Sequence, residues 1–83
     1  MKQYVDVICV HEKSGRILPI SVIWQDGIRY AVDKITQIVP AASTVSGGCG
    51  LRYTCRFGRS VRYMYLEDDG KWFVEKTEME RYS

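Results

Sequence analysis

Only two prolines and one histidine occur in the 83 residues, and the three cysteines are an odd number. Three thiols cannot all pair within one chain, which argues against a secreted domain stapled by disulfides. A reducing cytoplasm is the simpler setting. No apolar run approaches the roughly 18–20 residues of a membrane span. The start, Met1-Lys2-Gln3-Tyr4, runs straight into alternating residues and not into a signal-peptide core. Neither sign of charge dominates. Twelve Lys and Arg against ten Asp and Glu leave a formal +2, too little by itself to imply nucleic acid. What is present, 46% hydrophobic and 27% charged residues, is the mixture of a globular domain and not of a disordered tail. The length allows one domain, residues 1–83, that removes roughly 60–65% of its extended surface from water and so has a thin core.

β-Branched and aromatic residues fill segments at the spacing of an antiparallel meander. Residues 3–10 alternate with period two (Val5, Val7, Cys9 on one side) and read as a strand. Glu12-Lys13-Ser14-Gly15 is a polar turn, and residues 16–24 form a second strand. Pro19 lacks an N–H, which places it at an edge or near the strand start. Asp26-Gly27 predicts a type I′ hairpin turn. Ile28 to Ile38 is a third strand, long enough to invite a bend around which a small sheet curls on itself. Residues 51–57, 60–67 and 71–76 complete the set, joined at Gly58-Arg59 and Asp68-Asp69-Gly70.

Between the third and fourth strands, residues 40–50 carry no charge and include Gly47, Gly48 and Gly50. They read as a long Gly-rich loop, either functional or disordered. Residues 77–83 read as a polar tail. No internal repeat and no long helical period is present. The fold expected is all-β: a six-strand antiparallel meander curled into a small, partly open barrel.

One hairpin carries more information than the rest. With Gly58-Arg59 as a two-residue II′ turn, Phe57 faces Ser60, Leu51 faces Leu66 and Tyr53 faces Met64, a sensible core. The opposite face then pairs Arg52 with Tyr65, Thr54 with Tyr63 and Arg56 with Val61. Charge follows the same segment. Residues 51–66 hold Arg52, Arg56, Arg59 and Arg62 with no acid, a formal +4, whereas residues 67–83 sum to −3. Guanidinium groups reach phosphates and phenol rings stack on bases, so this pattern suits single-stranded nucleic acid. The same pairs also stabilise a solvated sheet by themselves, at about 0.5–1 kcal/mol for each cation–π contact.

Other constellations are weaker. Cys9-x-His11 and Cys49-x5-Cys55 offer zinc-binding residue types, but structural zinc knuckles keep two to four residues between ligands. No metal and no cofactor is expected. Cys9 and Cys55 read as small core hydrophobes, and His11 as a strand-end residue at the edge of solvent. Nothing in the sequence brings His11 to a cysteine for nucleophilic catalysis. Asp68-Asp69-Gly70 lacks the spaced acids of a calcium loop. The glycines at 47, 48 and 50 lack the lysine and helix start of a phosphate loop. An enzyme is not expected.

At Pro19-x-x-Val22-x-Trp24-x-x-Gly27-x-x-Tyr30-x-Val32, with Tyr53, Gly58-Arg59, Tyr63-x-Tyr65-Leu66 and Gly70-x-Trp72-Phe73-Val74, the chain resembles a group of small bacterial β-domains of unknown function. Members of that group stand alone or beside proteins of the error-prone DNA polymerase family. The resemblance spans most of residues 19–75. It implies a bacterial cytoplasmic protein in a nucleic-acid context and supplies no catalytic residue. The uncharged 40–50 stretch and its cysteine depart from the pattern.

Trp24, Tyr30, Trp72 and Phe73 read as core and hairpin packing, since each ring buries a large apolar area. Trp72 and Phe73 are adjacent and point to opposite faces of a strand. One of them is therefore exposed, covered by the tail or buried in a partner, which points towards a dimer. Two functions are expected from the whole. The first is a non-enzymatic module holding single-stranded nucleic acid through Arg52, Arg56, Tyr63 and Tyr65. The second is a protein-interaction or homodimerisation domain using an exposed strand edge and the 40–50 loop.

Overall fold

Period-two alternation becomes seven strands in a computed structural model that describes residues 2–42 and 49–75. They are β1 (Lys2–His11), β2 (Ile17–Ile23), β3 (Arg29–Ala31), β4 (Lys34–Ala42), β5 (Cys49–Phe57), β6 (Ser60–Glu67) and β7 (Trp72–Glu75). All pair antiparallel in one sheet of order β3-β2-β1-β7-β6-β5-β4. The expected meander is therefore present, curled into an open half-barrel, with β7 returning to pair β1.

The seventh strand comes from the long third one, which breaks where a bend was anticipated. Val32 N–H donates to the Ile20 carbonyl and Asp33 N–H to the Arg56 carbonyl, both at 2.8 Å. Within one peptide unit the chain thus leaves β2 and joins β5. The two ends of the sheet, β3 and β4, are separated by only those two residues. A flat sheet of seven strands cannot satisfy that connection, so the sheet curls. Two bulges assist, each adding an unmatched residue that bends and twists its strand. Ile20 is unmatched in β2, where Ile8 pairs Ser21 and Cys9 pairs Pro19. Thr36 is unmatched in β4, where Ile35 pairs Cys55 and Gln37 pairs Thr54. Pro19 sits beside the first bulge, where the irregular ladder tolerates its missing N–H.

Three turns repeat one design. Gly15, Gly27 and Gly70 donate to the carbonyls of Glu12, Trp24 and Glu67, and all three glycines have positive φ. The residue before each glycine accepts from the N–H two positions on: Ser14 from Arg16, Asp26 from Ile28, Asp69 from Lys71. This is a three-residue loop closed by a glycine bulge, in which Asp or Ser stabilises the turn by local side-chain bonding. Asp26-Gly27 is consequently not the type I′ turn expected, because Asp26 keeps a negative φ. Gly58 does open a two-residue turn, with φ of +60° while Arg59 stays negative, as type II′ requires.

The strands also claim both ends of the stretch read as a 40–50 loop. β4 runs to Ala42 and β5 begins at Cys49, with Pro40 opposite Leu51 and Ala41 opposite Gly50. Pro40 is tolerated because β4 pairs on one side only among the described residues. Gly50 is needed for closeness, not for looseness: a Cβ there would lie 2.5 Å from the Leu66 carbonyl oxygen. Residues 43–48 and the 77–83 tail lie outside the described residues.

Val22, Tyr53, Cys55, Met64, Leu66 and Trp72 fill the concave side, flanked by half-buried Val5, Val7, Ile17, Ile35 and Ile38. Tyr53 crosses this interior to donate its hydroxyl to the Ile17 carbonyl, so a buried phenol is not left unpaired. Tyr30, expected in the packing, is 44% exposed. It lies on the edge strand β3, beyond which no neighbouring strand covers it among the described residues.

Candidate nucleic-acid interface

The β5–β6 ladder has the register the alternation predicts. Phe57 pairs Ser60, Leu51 pairs Leu66 and Tyr53 pairs Met64 on the core side, whereas Arg52 pairs Tyr65, Thr54 pairs Tyr63 and Arg56 pairs Val61 on the convex side. Tyr53 and Met64 are almost fully buried, while Arg56, Val61 and Tyr63 are exposed. The type II′ turn sets this register. Asp33, from the barrel-closing bend, fixes it further by accepting the Gly58 N–H on its carboxylate.

The convex face is organised in rows across the strands. One row reads Tyr4, Phe73, Tyr65, Arg52, Val39 from β1 to β4. Its aromatic end is closed. Tyr65 stacks on Phe73 with centroids 4.8 Å apart and planes within 5°, and Tyr4 meets Phe73 edge-on at 5.9 Å. Lys2 Nζ lies 4.6 Å from the Phe73 centroid and 2.9 Å from the Glu67 carboxylate, which also accepts the Tyr4 hydroxyl. The hydrogen bond from Lys2 lowers the Glu67 pKa, with that from Tyr4 next in weight. The same contacts raise Lys2 and Tyr4 above their ordinary values. Phe73 is only 4% exposed within a single chain. The dimer inferred from the adjacent Trp72 and Phe73 therefore loses that particular support.

The other end of the face is open. The Arg52 guanidinium sits 4.7 Å from the Tyr63 centroid and its Nη2 donates to Gln37 at 3.3 Å. Its Nε is buried with no hydrogen-bond partner. Among the described residues no carboxylate lies within ion-pair distance of Arg52, Arg56 or Arg59. The four residues singled out from sequence are thus brought onto one face but not into one role. Arg52, Arg56 and Tyr63 surround an open surface, whereas Tyr65 is half-buried and spent on Phe73. Burial is the main cause raising the Tyr65 hydroxyl pKa. Lys34, opposite Arg56 on β4, joins the open end and was not singled out. Its place depends on the Thr36 bulge, which local alternation does not reveal.

The concave side carries a separate feature. A cavity of about 280 Å³ is lined by Val7, Cys9, His11, Ile17, Leu66, Gly70 and Trp72. His11 is the exposed last residue of β1, as its strand-end position suggested. Cys9 and Cys55 are free thiols packed into the core. Desolvation pushes the Cys55 thiol up to about 11, and burial raises Cys9 as well. Both are protonated at neutral pH and weak nucleophiles. Among the described residues no three His, Cys, Asp or Glu side chains gather as a metal site would require.

Comparisons with protein-family models, curated proteins and solved structures find nothing similar to the chain. The fold is an all-β open half-barrel, and the open end of its convex face is the place where unused chemistry gathers.

Proposed function

We propose that this protein is a non-enzymatic module that holds single-stranded nucleic acid on the convex face of β5 and β6. The supporting observation is the exposed Tyr63 ring beside arginines that no described carboxylate neutralises. A phenol stacks on any base, and arginine reaches the backbone phosphates in planar, bidentate geometry. Tyr63 is the stacking platform, Arg52 orients it from one side, and Arg56 contacts phosphate. Tyr65 acts through Phe73 as the support beneath the row. A cytoplasmic setting, with its thiols reduced, belongs to the same proposal.

Anisotropy of a labelled oligothymidylate, titrated with salt, tests this reading. The parent binds saturably, with affinity falling as salt rises, and Arg52→Ala/Arg56→Ala binds weakly. Absence of saturable binding at low salt, or equal binding by the double variant, contradicts it.

A second reading, association of two copies through a strand edge, is favoured by exposed apolar groups around β3. Ile20, Ile28 and Tyr30 are 44%, 52% and 44% exposed, beside an edge that pairs on one side only among the described residues. Edge-to-edge pairing needs such an edge and gains from apolar flanks. Sedimentation of parent and Tyr30→Lys distinguishes the outcomes. A dimer dissociated by the lysine supports self-association, and a strict monomer at high concentration removes it.

A further inference from the structure

Lys34 and Arg56 face each other directly across the β4–β5 ladder. Like charges directly opposite in a sheet repel, and a neighbouring carboxylate would relieve that repulsion. Here none of the described carboxylates lies within ion-pair distance of either residue. The acid next in sequence, Asp33, is committed to the Gly58 N–H at the hairpin turn. Both side chains are exposed, Lys34 on β4, which pairs on one side only among the described residues, and Arg56 on its neighbour β5. By strand geometry the pair lies about 13 Å along β5 from Arg52, with Thr54 and Tyr63 between.

From this we infer that Lys34 and Arg56 together form a phosphate site, taking the phosphodiester that follows the base stacked on Tyr63. The inference rests on the nucleic-acid reading and extends it to a residue and a strand not assigned before. A phosphate seated between the two cations replaces their repulsion by two attractions. Arg56 supplies a planar fork and Lys34 a compact point charge, so the pair takes a phosphate oxygen from each side. The strand then runs from Tyr63 across Thr54 towards the β4 edge. Affinity comes from charge at one end and stacking at the other, with little reading of sequence.

Two measurements on the intact chain decide this. In the first, the salt dependence of oligothymidylate binding is compared among parent, Lys34→Gln and Tyr63→Leu. Lys34→Gln should lower the log–log slope by about 0.7, one phosphate contact on a single strand, and weaken binding several-fold at low salt. Tyr63→Leu should weaken binding and leave the slope unchanged. In the second, thermal melting is followed with and without inorganic phosphate at fixed ionic strength. Phosphate should raise the midpoint of the parent and not that of Lys34→Gln. A parent that binds oligothymidylate with the same slope after Lys34→Gln overturns the phosphate site and leaves the nucleic-acid reading standing. A parent that binds no oligothymidylate but melts higher in phosphate, through Lys34, keeps the anion site and removes the nucleic-acid reading. No binding together with no phosphate effect overturns both.

Discussion

The two ends of the convex face use the same residue types and reach opposite conditions. At the β1–β7–β6 end, Lys2, Tyr4, Tyr65 and Phe73 stack on one another, and Glu67 takes both the lysine and the Tyr4 hydroxyl. At the β6–β5–β4 end, Tyr63, Arg52, Arg56 and Lys34 have one ring contact and one amide contact among them, and no acidic partner among the described residues. Tyrosine and cation on a sheet do not by themselves define a binding surface. Among the described residues, what separates the ends is a third partner, the Glu67 carboxylate.

Substitutions that treat the two ends alike expose the contrast. The largest effect falls on Phe73, which lies on the outer face but is as buried as the core. Phe73→Ala should destabilise by about 3–5 kcal/mol, whereas Tyr63→Ala at the open end, where the ring meets the Arg52 guanidinium, should cost only about 1 kcal/mol. Urea unfolding of both variants checks this, and equal losses would erase the distinction. Gly50→Ala comes next. Its Cβ meets the backbone of Leu66, which cannot rotate aside, so a loss of about 1–3 kcal/mol is expected, as for other overpacking. A wild-type midpoint for Gly50→Ala would mean that β5 and β6 approach less closely than described.

Smaller effects sharpen the electrostatic side. The Glu67 pKa is lowered by Lys2 and Tyr4, so its contribution is fully present above the ordinary carboxylate pKa of about 4.3. That contribution disappears as pH falls through the lower, folded value. Glu67→Gln should therefore be less stable than the parent at neutral pH, with the gap closing on acidification. A gap that stays constant with pH would assign the loss to packing instead. Smallest is Lys34→Glu, which turns a repulsive cross-strand pair into an attractive one. It should raise the melting midpoint slightly at low salt, and the gain should fade at high salt.

Much of this was legible because the β5–β6 hairpin is local. Gly58 fixes the turn, the turn fixes the register, and the register places Arg52, Arg56, Tyr63 and Tyr65 on one side. The bend of the long third strand was readable from its length. The bulges at Ile20 and Thr36 were not, because each depends on how a partner strand lies. Without the Thr36 bulge, Lys34 cannot be placed opposite Arg56. The covering of Phe73 was equally hidden, since it joins β1, β7 and β6, and β1 lies far from the other two in sequence. The I′ turn at Asp26-Gly27 failed for a different reason. Asp and Gly serve equally well as the last two residues of a three-residue glycine-bulge loop, and the side-chain bond from Asp26 to the Ile28 N–H favours that form.

The central claim is that one end of the convex face is sealed by its own contacts and the other is left for an anionic strand. Backbone amide shifts on adding oligothymidylate to the isotopically labelled protein test it most directly. The account predicts shifts grouped at Lys34, Arg52, Thr54, Arg56, Val61 and Tyr63, with Lys2, Tyr4, Glu67 and Phe73 unmoved. Shifts centred on the sealed end or on the β3 edge, or none at all, would contradict it.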